Sequence, residues 1–316
     1  MPNSKFMSLS EAIKKFVHDG DQVSLGGFTV NRNPMALVYE MIRQGKRDLH
    51  LYAHSQGQAL DILIGAGCVR AVELAYGANG RYATTCVMFR RAVEEGKLKF
   101  EDYTNYQMSL RFMAGAMGLP YLPTRSGLGT DIISKWGMDE TYRKANPRIS
   151  EKKVVLEKDP FRGETLVLVP AVNPDVTLIH AQMVDKEGTA RIRGLDFVDA
   201  YQAQASQRLV ISCEEICETL REEPDLNQIP YYLPDAIVSC PWGSHPTACW
   251  GYYDYDSDHL IKYRDLARDD AGFQKYLTEY ITGVEGHKEY LKKVGEEKLQ
   301  GIRADECGYR KGLRRN

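Results

Sequence analysis

Short apolar stretches alternate with amphipathic helical stretches over residues 23–95, and this rhythm restricts the chain to βαβ units built around a largely parallel sheet. Ser8 and Glu11 form an S-x-x-E capping box ahead of Ala12, Ile13, Phe16 and Val17, whose spacing is helical, and Gly20 stops that helix. Strands are predicted over 23–25, 49–53 and 71–76. Helices are predicted over 34–45, 60–65 and 87–95, the first of them opened by Pro34 and closed by Gly45.

The pattern changes after a further helix over 106–117. Pro120, Pro123, Gly127 and Gly129 interrupt the chain, residues 138–159 are charged and irregular, and the strands predicted over 165–169, 176–180, 190–192, 209–212 and 236–240 have shorter connections. A soft boundary is therefore expected between 140 and 160. It would divide an N-terminal α/β part (1–150) from a C-terminal part of the same fold (151–316), a single domain with an excursion being the alternative. The fold class expected is α/β, a mostly parallel open sheet with helices on both faces and a smaller or extended C-terminal part. The last residues, 310–316, are basic and predicted to fray.

Charge and composition exclude several functions. Lys plus Arg number 41 and Asp plus Glu 43, a formal net charge of −2, so no general field attracts nucleic acid or an anionic membrane. Residues 236–253 carry no Asp, Glu, Lys or Arg, but Pro241, Gly243, Pro246 and Gly251 interrupt them, which argues against a spanning helix. The first fifteen residues lack the continuous apolar core of a secretory signal. The seven cysteines include no CxxC pair and suit reduced thiols, so a cytoplasmic protein is expected.

The most informative string runs from Asp19 to Pro34, DGDQVSLGGFTVNRNP. A buried strand delivers Gly26 and Gly27 at its carboxyl end and a helix starts soon after, a place where open backbone amides suit phosphate or carboxylate oxygens. For two glycines alone, an ordinary tight turn is the favoured reading. The whole string resembles the first signature of the class I coenzyme A transferases, departing from it at Ser24, inside an apolar triplet, and at Arg32, where the signature has Gly. Gly118 to Pro123, Ile179-His180-Ala181-Gln182 with Asp185 and Gly188, Cys213 to Ile216, and Gly243-Ser244-His245-Pro246 leading into Tyr252 to Asp256 narrow the likeness. Together, over residues 5–295, they resemble the alpha-subunit branch of the glutaconate CoA-transferases, which also carries Arg at the position of Arg32.

The resemblance implies the class I CoA-transferase fold and covalent catalysis, in which a glutamate attacks the acyl thioester and passes through an anhydride and a glutamyl-CoA thioester. It implies that this glutamate belongs to a beta subunit, in a Ser-Glu-Asn-Gly motif at a strand end. The comparable strand end here reads His54-Ser55-Gln56-Gly57, and a carboxamide cannot be that nucleophile. The chain is thus expected to be the alpha subunit of a heteromeric enzyme moving CoA between a short dicarboxylic acyl-CoA, glutaconyl-CoA-like, and an acid such as acetate. Coenzyme A enters as substrate, with no resident cofactor or metal. The alternatives are an acyl-CoA hydrolase, ring-cleaving enzyme or decarboxylase on the same scaffold, or a non-catalytic acyl-CoA-binding subunit.

The loops at strand carboxyl ends should face one crevice. Its candidate substrate and oxyanion contacts are Gly26, Gly27, Phe28, Thr29, Asn31 and Arg32, then Ser55, Gln56 and Gly57, then Asn79, Gly80 and Arg81, with Arg125 and Gly127 from a later loop. Arg32, Arg81 and Arg125 are the candidates for gripping a distal carboxylate, because a guanidinium takes both oxygens. Gly127 and Gly129 would let a loop approach the substrate. Glu101 is an alternative nucleophile, expected with Asp102 in a loop before a helix; Glu73, Glu214 and Glu215 read as ordinary charge or helix-start residues. Gly65-Ala66-Gly67 lacks the third glycine of a dinucleotide site, and neither Cys213 and Cys217 nor His180 and His245 has metal-ligand spacing. Trp250, Tyr252, Tyr253 and Tyr255 have acidic neighbours, which favours packing or a subunit interface over nucleic acid.

Overall fold

A computed structural model of the chain describes residues 5–221 and 227–310. The first helix, α1 (Leu9–Phe16), starts at Ser8, whose hydroxyl accepts from the Glu11 amide while the Glu11 carboxylate accepts from the Ser8 amide 3.0 Å away. Both exposed donors are satisfied at once, and the apolar side of the helix, Ala12 and Ile13, is buried. Replacing Ser8 by alanine is expected to cost about 1 kcal/mol, measured by equilibrium denaturation.

Strands β1 (Gln22–Leu25), β2 (Leu49–Gln56), β3 (Val69–Gly77) and β4 (Lys99–Asp102) alternate with α2 (Met35–Arg43), α3 (Gln58–Gly65) and α4 (Val87–Glu94), and α5 (Asn105–Ala116) follows. Strands β5 (Tyr121–Thr124), β6 (Val155–Lys158) and β7 (Thr165–Pro170) form a separate antiparallel sheet in the order β5-β7-β6. The chain then returns with β8 (Val176–Asp185), β9 (Ala190–Arg191), β10 (Arg208–Cys217), β11 (Gln228–Ile229) and β12 (Ala236–Ser239).

β8 pairs in parallel with β1 along Val176 to Leu178, so strands from both halves of the chain share one sheet, parallel in the order β12-β10-β8-β1-β2-β3-β4. Residues 120–170 are an excursion from that sheet carrying the small one. β8 and β10 run on together past the carboxyl end of β1, and β9 and β11 attach antiparallel to this extension. The frayed tail expected beyond Arg310 lies outside the described residues.

Alternation along the strands divides the core. Leu49, Leu51 and Ala53 pack with Val23, Leu25, α1, α2 and α3 on one face, whereas Tyr52 packs with Tyr103, Met108 and Phe112 beneath α5 on the other. Ser24, the polar residue inside the expected apolar triplet, is buried because its hydroxyl accepts from Gln202 Nε2 at 2.8 Å. The same amide donates to the Leu25 carbonyl and ties the helix Asp199–Ala205 to β1.

Two expectations need correction. Glu101 and Asp102 lie in strand β4, not in a loop; Phe100 is the one apolar side chain in Lys99-Phe100-Glu101-Asp102, so the segment has no strand period of its own and owes its conformation to pairing with β3. Glu214 and Glu215 lie within β10, not beyond it, because β8 supplies a partner as far as Cys217.

Candidate active site

The carboxyl ends of β1, β2 and β3 bring three loops side by side. At the end of β1, Gly27 has φ +82° and Thr29 and Arg32 have φ +47° and +52°, so the chain doubles back within a few residues. Arg32 occupies a conformation that suits the glycine of the signature. It is held there by a bidentate ion pair, Nη1 to Asp199 Oδ1 at 3.0 Å and Nη2 to Asp199 Oδ2 at 2.8 Å, with further donations to the His180 and Leu195 carbonyls. Both side chains are almost fully buried. Burial alone would weaken the guanidinium's hold on its proton; the facing Asp199 carboxylate more than offsets this and raises its pKa.

This arrangement corrects the expectation of open amides. Gly26 N donates to the Leu178 carbonyl, Gly27 N to Asp199 Oδ1, Phe28 N and Asn31 N to each other's carbonyls, Thr29 N to the Ser55 carbonyl and Arg32 N to the Ala248 carbonyl. Those six donors face protein, not solvent. Arg32 likewise has its terminal nitrogens committed to Asp199 and main-chain oxygens, so the role of first contact for a remote carboxylate does not fit it.

At the end of β2 every candidate is buried. Ser55 Oγ donates to Asn105 Oδ1 at 2.7 Å, and Gln56 Nε2 donates to the Gly26 carbonyl at 2.7 Å while its Oε1 accepts from the Gly57 amide. Gln56 is thus a staple between two strand ends. A Cβ on Gly57 would lie 2.5 Å from Asn79 Oδ1, which explains glycine there. Asn79 Nδ2 donates to Gln58 Oε1, leaving Asn79 Oδ1 and Gln58 Nε2 buried with no partner.

Gly80 has φ +55°, and Arg81 is exposed with its guanidinium 5.3 Å from the Tyr82 ring centroid. Arg125 is exposed and paired with Glu164, the residue before β7. Its neighbour Ser126 bonds Thr104 and Gln107 at the start of α5, and Gly127, at φ +85°, packs over Gln107 and Ile133. The Arg125 loop therefore meets the same helix end as Ser55, through Asn105.

Glu101, the alternative nucleophile, is structural, and so are Glu73 and Glu214, which are buried and bonded within strands instead of lying at the surface or at a helix start. Glu101 is fully buried between Arg143 Nη2 at 2.7 Å and Lys153 Nζ at 2.9 Å, and it accepts the Gly137 and Met138 amides. Glu73 is fully buried against Arg111 at 2.8 Å and His50 at 3.2 Å; burial would raise its pKa, but the Arg111 guanidinium and the contact with His50 hold it well below the usual carboxylate range. Glu214 accepts from Trp242 N, Gly243 N, Tyr253 OH and His180 Nε2. Ser212, His180 and Glu214 line up as a nucleophile, base and orienter would, with both spacings 2.8 Å, yet all three are buried in the core, so they brace the sheet.

Sequence spacing also missed two groupings of metal-ligand type, His180 with Glu214 and Cys249, and His245 with Asp256 and His259. Hydrogen bonds to Ser212, Tyr290 and Tyr276 occupy ring nitrogens in both, and desolvation lowers the His259 pKa to about 3, as in a neutral core histidine. A cavity of about 360 Å³ opens beside the turn, between Asn31, Arg32, Gln182, Arg193, Leu195 and Trp250.

Three residues at the site escaped the sequence reading. Asp199 organises the β1 turn from 167 positions beyond Arg32, and no local pattern marks it. His54 and Phe197 join Phe28 in an aromatic cluster, Phe28 and Phe197 stacked at 3.9 Å between centroids and each 5.9 Å from His54.

A parallel sheet with a glycine turn and strand-end loops at one edge defines a class: residues 6–239 match the coenzyme A transferase family, and the chain belongs to it. Within that family it is similar to A-type CoA-transferase subunits. It is 38% identical over 303 residues to the A-type subunit of glutaconate CoA-transferase from Acidaminococcus fermentans, covering 95% of each chain. The crystal structure of glutaconate coenzyme A-transferase from that organism superposes with a TM-score of 0.94, at 37% identity and covering 97% of this chain and 98% of that one. The A-type subunit of 3-oxoadipate CoA-transferase from Pseudomonas knackmussii is 35% identical over 298 residues, covering 93% of this chain and 100% of that one. Among the described residues no helix is long and apolar enough to cross a membrane.

Proposed function

We propose that the chain is the alpha subunit of a heteromeric transferase that moves CoA between a short dicarboxylic acyl-CoA and a carboxylic acid, with the nucleophilic glutamate supplied by a beta subunit. The observation that carries this reading is Gln56. It stands at the strand end that the resemblance matches to the beta subunit's Ser-Glu-Asn-Gly motif, it is a carboxamide, and both ends of it are bonded within the chain. Glu73, Glu101 and Glu214 are each enclosed by their own partners, which removes the nearest substitutes. Coenzyme A is then a substrate, and no resident cofactor is called for by an exchange through acyl-glutamyl intermediates. The alpha chain contributes the rigid strand-end loops against which the acyl group is positioned.

The test is a comparison of the isolated chain with the co-purified pair, each offered a panel of dicarboxyl-CoA thioesters with and without acetate. The pair is expected to exchange CoA and the isolated chain to give none. Exchange by the isolated chain, or hydrolysis by the pair without any dependence on acceptor, would overturn the proposal.

A further inference from the structure

With Arg32 bound to Asp199, another group must meet the acid's second carboxylate. His54 is 7% exposed, stands two residues before Gln56 at the carboxyl end of β2, and has a buried Nδ1 with no hydrogen-bond partner. A buried polar atom left without a partner is costly and is rarely kept without a use. Phe28 of the glycine turn and Phe197 pack beside the imidazole, stacked on each other at 3.9 Å with each ring centroid 5.9 Å from it. Phe197 is 44% exposed and belongs to the segment between β9 and the helix Asp199–Ala205, which makes it the surface ring of this cluster.

We infer that His54 is a specificity-determining contact for the acyl chain, its Nδ1 and the remote carboxylate of a dicarboxylic substrate sharing one proton beside Phe28 once the surface ring of Phe197 swings aside. This inference rests on the dicarboxylate CoA-transferase reading and names the residue that would select the acid. Aromatic neighbours around one nitrogen suit it: the methylene chain lies against the rings, and the shared proton leaves no net charge on the acid's far end. Burial keeps the free imidazole neutral by lowering its pKa, against smaller opposing effects of the Asn105 backbone and Asp199. The charged groups of the neighbouring segment are Asp199 and Asp196, with Arg32 facing them from the turn; Asp196, raised to about 6 by burial and by Asp199, is already ionised above neutral pH.

The experiment uses the co-purified pair with glutarate and its monocarboxylic counterpart pentanoate as acceptors between pH 7 and 8.5. Because the bound pair holds a proton that neither free partner holds, KM for glutarate should rise by about tenfold per pH unit while KM for pentanoate stays level. In His54→Phe the glutarate KM should rise about 10- to 100-fold with kcat little changed and the pH slope lost, and pentanoate should be unaffected. His54→Gln, which keeps a polar atom but cannot take the proton, should also lose the slope. A level glutarate KM in the wild-type pair, or equal changes for both acids in the variants, would overturn the inference even where a variant fails to assemble. If the pair exchanges CoA with no acid, the transferase reading fails separately. Calorimetry of glutarate binding in two buffers of different ionisation enthalpy then decides the His54 assignment, uptake of about one proton supporting it and no uptake overturning it.

Discussion

Replacing Asp199 by alanine is expected to destabilise the protein by about 3 to 5 kcal/mol, because it strands a buried guanidinium. Arg32 and Asp199 are both almost wholly removed from solvent, and Asp199 Oδ1 also accepts the Gly27 amide, so the substitution orphans donors of two residues at once. The single variants Asp199→Ala and Arg32→Met should each be severe, and the double variant less severe than their sum, since removing both charges leaves neither unpaired. Chemical denaturation of the four proteins measures this coupling. An Asp199→Ala loss below about 1 kcal/mol would show that the pair is no more than a surface-type contact. Arg32→Met should accordingly bring a general loss of folding and assembly, not a selective loss of dicarboxylic substrates.

Gly27→Val is expected to lower turnover by on the order of 10²-fold, as misplacement of a positioning element by about 1 Å can do. Two constraints act together. Gly27 sits at φ +82°, where a β-branched residue is strained by about 1 to 3 kcal/mol, and an added Cβ would lie 2.7 Å from the Arg32 carbonyl carbon and the Asn31 carbonyl oxygen, closer still to the Arg32 carbonyl oxygen. Those neighbours are backbone and cannot rotate aside, so the turn must shift, carrying Phe28 away from Phe197 and Gly26 away from Gln56. The measurement is kcat and thermal stability of the purified pair. Turnover equal to wild type would mean that the turn is not part of the site. The six engaged amides locate the expected loss in the displaced turn and its Asp199 tether.

Local signals were legible in the sequence because their causes span only a few residues. The capping box of α1 and the helical spacing of α2 each follow from neighbours within one or two turns. Segments whose conformation depends on a distant partner were not legible. β4 has one apolar side chain, and its two carboxylates are matched by Arg143 and Lys153, far along the chain. β5 contains Pro123 and reads as a break, yet proline is tolerated there because the strand lies at the edge of its sheet. β8 and β10 outlast their predicted ends because each continues the other.

The site divides along the same line. The glycine turn, the carboxamide at position 56 and the grouping of the strand-end loops follow from the sequence, since strand direction and turn glycines are local and the right-handed βαβ connection puts those ends together. Which of the grouped atoms remain free for a ligand is a tertiary matter. Arg32 carries the same charge in any fold, but its availability depends on Asp199; His54 has no motif around it, but packing against Phe28 and Phe197 leaves its Nδ1 without a partner. A residue's chemistry belongs to its type, whereas its unsatisfied hydrogen-bonding capacity is what remains after long-range packing has paired its neighbours, and only the folded chain sets that remainder.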